Sequence, residues 1–435
     1  MSWDFETDPE FQRELDWISD FVREEIVLVD EILGSPADMR SPLRQRLIPP
    51  LQARVKERGL WALHLGPEHG GRGYGQVKLA LINEILGATR CGPFIFGCQA
   101  PDSGNAELLA RFGTDAQKKE YLQPLIDGDI CSTFSMTEPA GGADPTSITA
   151  CAELRGDRWV LSGEKWFASN ARFAEFIIAV VVTDPDAAPR NRSSMFLIPR
   201  EHPGLEIVRN VASVGQPQGD GSHGYLRFVD LELGPERMLG ERGQAFAMAQ
   251  ARLGGGRIHH AMRTVGAARR AFDMLCERAL SRHTQGSPLA HKQLVQQAIA
   301  ESWLSLEQFR LLVLRTAWLI DTRGNYESVR GDIAAVKAAM PRVLHDLAGR
   351  ALQLHGSIGV SDEMPFSRLI IESYQMGLVD GPTEVHQMTL ARQVLKNYEA
   401  SDSLFPAYHL PTLKALALAR YGDALAESPP EEPWA

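Results

Sequence analysis

Asp380 and Glu384 place two carboxylates four residues apart, and Gly381-Pro382 breaks the chain just before a helical pattern that starts near Thr383. A carboxylate at such a break has two readings. It serves as a general base if the fold presents it to an acidic proton, or it begins a turn and caps the following helix. Taken alone, Asp380 reads as the cap, and Glu384 is a competing carboxylate whose bland reading is solvated helix surface. His355 and His386 flank the same region, and packed or capping histidines account for both. Upstream, Gly254-Gly255-Gly256 interrupts a helical pattern directly before Arg257. Each helical glycine costs about 1 kcal/mol against alanine, so the run needs a reason. Close approach of a substrate at Gly255 is one. GGRGYG at 70–75 echoes a dinucleotide loop, but no strand precedes it, so a loop between helices is the better reading.

The elements that must position these residues change character along the chain. Asp8-Pro9 is a helix N-cap followed by proline at the first helical position, and Phe11, Leu15, Ile18 and Val22 recur at helical spacing. A second helix passes through Leu51 and Val55 and stops near Gly59, and helical stretches cover 77–90 and 103–128. From about residue 130, WVLSGEKWF, FIIAVVVT, SSMFLIP and GYLRFVDLEL are short β-rich runs, punctuated by Gly156-Asp157, Asp184-Pro185 and Pro203-Gly204. After residue 240 helices return, with Ile258, Met262, Val265, Phe272, Leu275 and Ala279 on one apolar face. Further helices are expected over 290–321, over 331–354 with a bend at Pro341, and from Thr383. The order α, then β, then α disfavours a Rossmann domain. The fold class is therefore α+β: an N-terminal helical domain (1–130), a middle antiparallel β-barrel or sandwich (131–240), a C-terminal four-helix bundle (241–400) and a tail (401–435), partly disordered and ending in SPPEEPWA.

The net charge of −10 over 435 residues argues against a general binder of nucleic acid or anionic membrane. No stretch reaches the roughly 18 apolar residues of a membrane span, and the acidic start MSWDFETDPEF lacks the features of a secretion signal. Cys91, Cys98, Cys131, Cys151 and Cys276 are odd in number and form no CxxC. That sets aside a disulfide framework and a metal site, and leaves buried thiols in a reducing cytoplasm.

Four motifs stand in register on this background. Met136-Thr137-Glu138-Pro139 with Gly142 and Asp144 opens the β region, and Gly163-Glu164-Lys165-Trp166-Phe167-Ala168-Ser169-Asn170 follows. Gln353-Leu354-His355-Gly356-Ser357-Ile358-Gly359 and Asp380-Gly381-Pro382 stand in the last domain. Together they resemble the acyl-CoA dehydrogenase family over about residues 10–398. Gln99–Asn105, Gly256–Gly266 and Asp380–His386 are most similar to the branch of acyl-CoA dehydrogenase family members ten and eleven. Those proteins carry an extra kinase-like domain; this chain has no room for it and resembles their dehydrogenase portion alone.

The resemblance implies desaturation of the Cα–Cβ bond of an acyl-CoA thioester, with FAD as cofactor. A base takes the α-proton and a hydride leaves Cβ for flavin N5. Asp380 matches the base, one methylene shorter than the usual glutamate. The other family position for the base matches Gly256, which has no side chain. The resemblance places Phe134, Met136 and Thr137 on the strand that contacts the isoalloxazine, with Phe167 and Ser169 flanking the ring. Alone, Phe167 would read as β-domain core. Ala143 replaces a serine that reaches the pyrophosphate, and Gln285 a common phenylalanine. Arg282 matches an arginine that approaches FAD from a neighbouring subunit, which implies a homodimer or homotetramer. Gln353, Gly356 and Ser357 match the loop near the other half of the pyrophosphate, Ser357 in place of a second glycine. Pro382 and Glu384 fall beside the flavin, and Arg257 and Gly255 beside the substrate. The electron acceptor implied is an electron-transfer flavoprotein. The shorter base points to a branched or hydroxylated acyl chain. Acyl groups on a carrier protein, a nitroalkane-type oxidase and a non-catalytic flavin-binding protein are the alternatives.

Overall fold

The computed structural model describes residues 6–214, 221–401 and 403–426. The chain divides into two compact units, one running to Leu390 and one beginning at Ala391. Helix α1 (Pro9–Phe21) starts where the sequence places it: the Asp8 carboxylate accepts from the Phe11 amide, and Phe11, Leu15 and Ile18 are buried. Helix α2 (Pro42–Glu57) is capped by Ser41 and ends at Gly59 with φ +65°. Helices α3 (Gln76–Leu86) and α4 (Asp102–Phe112) follow. The expected stretch 103–128 is broken at Gly113, and helical turns resume after Thr114, whose hydroxyl forms a capping box with Gln117. GGRGYG lies between helices. The Asp321 carboxylate accepts from the amides of Gln76 and Val77, at the helix N-terminus where a dinucleotide phosphate would sit.

The β region forms one sheet of eight strands. These are β1 (Ser132–Ser135), β2 (Cys151–Arg155), β3 (Arg158–Ala168), β4 (Phe176–Val182), β5 (Ser193–Pro199), β6 (Leu205–Val211), β7 (His223–Leu233) and β8 (Met238–Leu239). The path is β6-β7-β3-β2-β4-β5-β8, and β1 pairs with β4. The expectation of a wholly antiparallel domain needs correction, because β1 runs parallel to β4 from Ser132↔Phe176 to Ser135↔Ala179. A parallel neighbour requires a crossover, and the β2–β3 hairpin lies within it. The arms β6-β7-β3-β2 and β4-β5-β8 meet at the pair Cys151↔Val182. Trp159 and Leu231 of one arm share a core with Ile177, Val181 and Phe196 of the other. The alternate face of β4, with Phe176, Ile178 and Val180, packs with Leu108, Leu109 and Met248. Burial on both faces explains the unbroken apolar run FIIAVVV.

The last region holds α5 (Ala245–Ser281), α6 (Gln293–Arg323), α7 (Arg330–His355), α8 (Phe366–Met376) and α9 (Thr383–Leu395). Helix α8 is an addition to the expected four, and its Phe366 and Leu369 enter the core formed with Met262, Val265, Phe309 and Leu344. Helix α7 runs unbroken through Pro341. The reading of the tail is corrected over residues 410–426, which form helix α10 (Leu410–Ala426). Its leucines and alanines are strong helix formers. SPPEEPWA lies outside the described residues. No helix among the described residues is long and apolar enough to cross a membrane.

Candidate active site

Asp380 sits where α8 gives way to α9, with φ +56°, a conformation uncommon outside glycine. Its main chain is held: the Asp380 carbonyl accepts from Arg257 Nε at 3.2 Å and Nη2 at 3.0 Å, and pairs with His386 Nε2 at 3.2 Å. The side chain keeps 19% of its surface exposed, and Oδ2 lies 3.9 Å from His260 Nε2. Burial alone would raise the Asp380 carboxyl. His260, Lys337, Arg252 and Arg257 together outweigh it and hold the group below its ordinary value. Burial pushes His260 down to about 4, so near neutral pH it faces the carboxylate as a neutral imidazole. His386, also pushed down to about 4 by burial, is buried as the sequence suggests, but it touches the main chain of Asp380. The arrangement is an ionised carboxylate that carries a proton-accepting oxygen while donors fix its backbone.

Arg252, on the same helix as Arg257 and His260, lies against the β region. Its guanidinium lies 4.3 Å from the centre of the Phe134 ring, donates to Asn105 Oδ1 at 3.2 Å, and counts Asp380 and Glu107 among its charged neighbours. The strand end that bears Phe134, Met136 and Thr137 is clamped in turn. Lys165 Nζ donates to the Met136 carbonyl and to Glu138 Oε1, both at 2.9 Å, and the Trp166 amide donates to Thr137 O at 2.8 Å. Glu138 also accepts from the amides of Thr149 and Ala150 and from the Thr149 hydroxyl. The Lys165 and Glu138 side chains are 0% and 5% exposed. Lys165→Met strands the carboxylate in the interior, and a loss of about 3–5 kcal/mol is expected. Chemical denaturation of the purified variant measures it, and a wild-type midpoint would contradict this role for the pair.

Phe167 is not the core residue that its strand setting alone would suggest. It is 45% exposed with φ +53°, and it stacks at 5.2 Å on His223, which also pairs with Ser169 Oγ at 3.2 Å. An exposed ring held in a strained backbone is the kind of surface that a planar aromatic ligand covers. A second cluster gathers Arg282 with the turn that ends α7. Arg282 Nη1 donates to His355 O at 3.4 Å, and a Cβ added to Gly356 would meet that same nitrogen at 2.9 Å. Gly356 has φ +70°, and Gln353, Ser357 and Arg282 are exposed around it. A guanidinium above a bare glycine backbone is chemically suited to a diphosphate. His355 packs on Phe366 and bonds Ala351 O at 2.7 Å, the packing role expected of it. Gln285 and Gly286 turn a two-residue hairpin with φ +49° and +75°. Ala143 and Glu384 are exposed, and Pro382 is half-buried.

The substrate explanation for the glycine run needs correction. A Cβ on Gly254 would meet the Tyr326 ring at 2.5 Å, and one on Gly255 would meet Tyr326 Oη at 2.8 Å. Tyr326 therefore accounts for both, and open space lies only at Gly256. Three residues at the site were absent from the sequence reading: Arg252, His260 and Lys337. The signal for Lys337 was a lysine inside the apolar stripe Ile333, Val336, Met340 and Leu344. Those for Arg252 and His260 were polar residues on the helix that carries Arg257.

Comparison with known proteins bears on this geometry. Residues 9–129, 133–231 and 242–395 match the N-terminal, middle and C-terminal domain models of acyl-CoA dehydrogenases. The chain is 41% identical over 372 residues to the probable acyl-CoA dehydrogenase FadE2 of Mycobacterium tuberculosis, covering 85% of this chain and 89% of that protein. It is 39% identical to acyl-CoA dehydrogenase family member 11 of Gallus gallus over 79% of this chain, but spans only 45% of that protein. It likewise spans 34% of family member 10 of Mus musculus at 37% identity. A solved Mycobacterium abscessus protein of the acyl-CoA dehydrogenase type superposes with a TM-score of 0.84 at 34% identity, covering 91% of this chain and all of that one. Butyryl-CoA dehydrogenase of Megasphaera elsdenii shares the fold, with a TM-score of 0.76 at 24% identity over 90% of this chain.

Proposed function

The chain belongs to the acyl-CoA dehydrogenase family, and from that membership we propose a FAD-dependent enzyme that desaturates an acyl-CoA thioester, with Asp380 as the base. One observation carries the proposal: Asp380 is a part-exposed carboxylate whose main-chain carbonyl is fixed by Arg257 and His386 while Oδ2 stays within 3.9 Å of His260. The main chain of Phe134–Thr137 with Phe167 and Ser169 would hold the isoalloxazine; Arg282, Gln353, Gly356 and Ser357 would hold a pyrophosphate. Ala143, Pro382 and Glu384 belong to the same proposed surface by motif match alone. Bound FAD supplies the acceptor for the hydride that leaves Cβ.

The chain's own residues do the rest. Asp380 takes the α-proton as the Cα–Cβ double bond forms. Arg257 fixes the Asp380 backbone, so the carboxylate does not drift when it is protonated. The positive charges of Arg252 and Arg257 favour the anion that develops at the thioester. An electron-transfer flavoprotein is the proposed acceptor, the cytoplasm the proposed compartment, and a homodimer or homotetramer the proposed assembly. Sedimentation should show no active monomer. The domain limits 1–130, 131–240 and 241–400 are part of the same reading.

The substrate chain is proposed to be branched or hydroxylated. Arg252, His260 and Glu107, whose carboxyl burial pushes up to about 7, give the surroundings of the base more polarity than a plain alkyl chain would use. Turnover of such a thioester is expected to exceed that of the straight chain by about tenfold or more. Best turnover on a straight-chain acyl-CoA would sink this part. The broader test is an anaerobic titration of the visible spectrum against a panel of acyl-CoAs. Bleaching of a flavin band by one class of thioester supports cofactor, reaction and substrate class together. A flavin band that no thioester bleaches would turn attention to carrier-bound acyl groups, nitroalkanes or a non-catalytic role.

A further inference from the structure

Helix α7 carries a lysine into the core. Lys337 is 1% exposed, among Ile333, Val336, Met340 and Leu344. A buried ammonium is unfavourable unless its donors are used, and Lys337 Nζ donates to Met376 O and Val379 O, both at 2.8 Å. Met376 is the last residue of α8, and Val379 directly precedes Asp380. Asp380 itself has φ +56°, so the turn that presents it must be held from outside. Arg257 and His386 hold the Asp380 carbonyl. Lys337 holds the carbonyls on the approach. The two sets of donors come from three helices, α5, α7 and α9, and converge on one five-residue turn.

We propose that Lys337 is a positioning residue for the base: it fixes the turn from Met376 to Asp380 and places a positive charge behind the carboxylate. The proposal rests on the reading of Asp380 as the base. Charged or titratable groups face Asp380 from each packed element: Arg252, Arg257 and His260 on α5, Lys337 on α7, and His386 on α9. Lys337 in turn faces Asp380 and Arg257, and burial pushes its ammonium down to about 8. Its charge is therefore present near neutral pH and is lost as the pH rises through that value.

The test uses flavin-loaded Lys337→Met, Lys337→Gln and Lys337→Arg, with kcat and KM followed across pH beside Asp380→Asn. Lys337→Met is expected to lower kcat about 100-fold with KM changed less than about threefold, since an ångström of misplacement costs that much. Loss of the charge should move the acid limb of kcat/KM, which reports the Asp380–His260 pair, upward by about one pH unit. Lys337→Gln keeps a donor without the charge; it should recover part of kcat and keep the shifted limb. Lys337→Arg should leave the acid limb in place and, since its charge persists, remove any decline that the wild type develops as the pH rises through about 8. Should Lys337→Met fail to fold, Lys337→Gln and Lys337→Arg carry the same contrast. Wild-type kcat and unmoved limbs in folded Lys337 variants, with Asp380→Asn inactive, would overturn the role of Lys337 and leave the base in place. Undiminished flavin reduction in Asp380→Asn would remove the base, and this inference with it.

Discussion

Flavin reduction by an acyl-CoA substrate is expected to fall about a thousandfold in Asp380→Asn, within the range that a positioned general base contributes. The amide keeps the shape of the side chain and leaves the backbone contacts to Arg257 and His386 intact, because those contacts go to the main-chain carbonyl. Folding and thioester binding should therefore survive while proton abstraction does not. Stopped-flow reduction of the flavin-loaded variant measures the loss. The sign of the pH dependence follows from the surroundings of the carboxylate. Burial raises its pKa, but His260, Lys337, Arg252 and Arg257 hold it below the ordinary value. The base should stay ionised throughout the neutral range and be lost only as the pH falls through that depressed value, which His260 shares. A rate that begins to fall at neutral pH would indicate a different base. Asp380→Glu restores the carboxylate but lengthens it by a methylene. It should recover activity only in part, because the turn around φ +56° is fixed for the shorter side chain.

The three consecutive glycines of α5 should respond in opposite directions. Gly254→Leu drives a side chain into the Tyr326 ring, which a Cβ alone would meet at 2.5 Å. Overpacking of this kind costs about 1–3 kcal/mol and sometimes more, and the upper end is expected here because a ring rather than a flexible chain end must move. Gly255→Leu meets Tyr326 at its hydroxyl, 2.8 Å from the built Cβ, and should be milder. Gly256→Ala meets nothing within 4 Å and should stabilise the helix by up to about 1 kcal/mol. Denaturation midpoints of the three variants give the order directly. Equal losses at all three positions would mean that Tyr326 is not what the glycines accommodate. The same series tests activity: α5 carries Arg252, Arg257 and His260, so displacement of the helix at Gly254 should lower turnover as well as stability.

Local chemistry was legible in the sequence and long-range contact was not. Asp8-Pro9, the β-rich runs after residue 130 and the apolar face of α5 follow from spacing and caps, and each is present in the fold. The parallel pairing of β1 with β4 depends on a partner more than 40 residues away, and nothing in STFS signals it. Helix α8, at 11 residues and directly after a turn-rich segment, gives little periodic signal of its own. The motif matches singled out Asp380, Arg257, Arg282 and Gly356 but not that Arg282 lies over Gly356, while periodicity hid Lys337 within an apolar stripe. Phe167 is the reverse case: an aromatic in a strand taken alone reads as core, the motif match places it beside a flavin, and the structure shows an exposed ring at positive φ. Tyr326 explains Gly254 and Gly255 from more than 70 residues along the chain, a distance at which spacing carries no signal.

The most direct test of the account is exchange of the substrate's α-hydrogen with deuterated water, read by mass spectrometry of the recovered thioester under anaerobic conditions. The account expects exchange at Cα with the wild-type flavin-loaded enzyme, and its loss in Asp380→Asn although the thioester still binds. Exchange that persists in Asp380→Asn at the wild-type rate would contradict it.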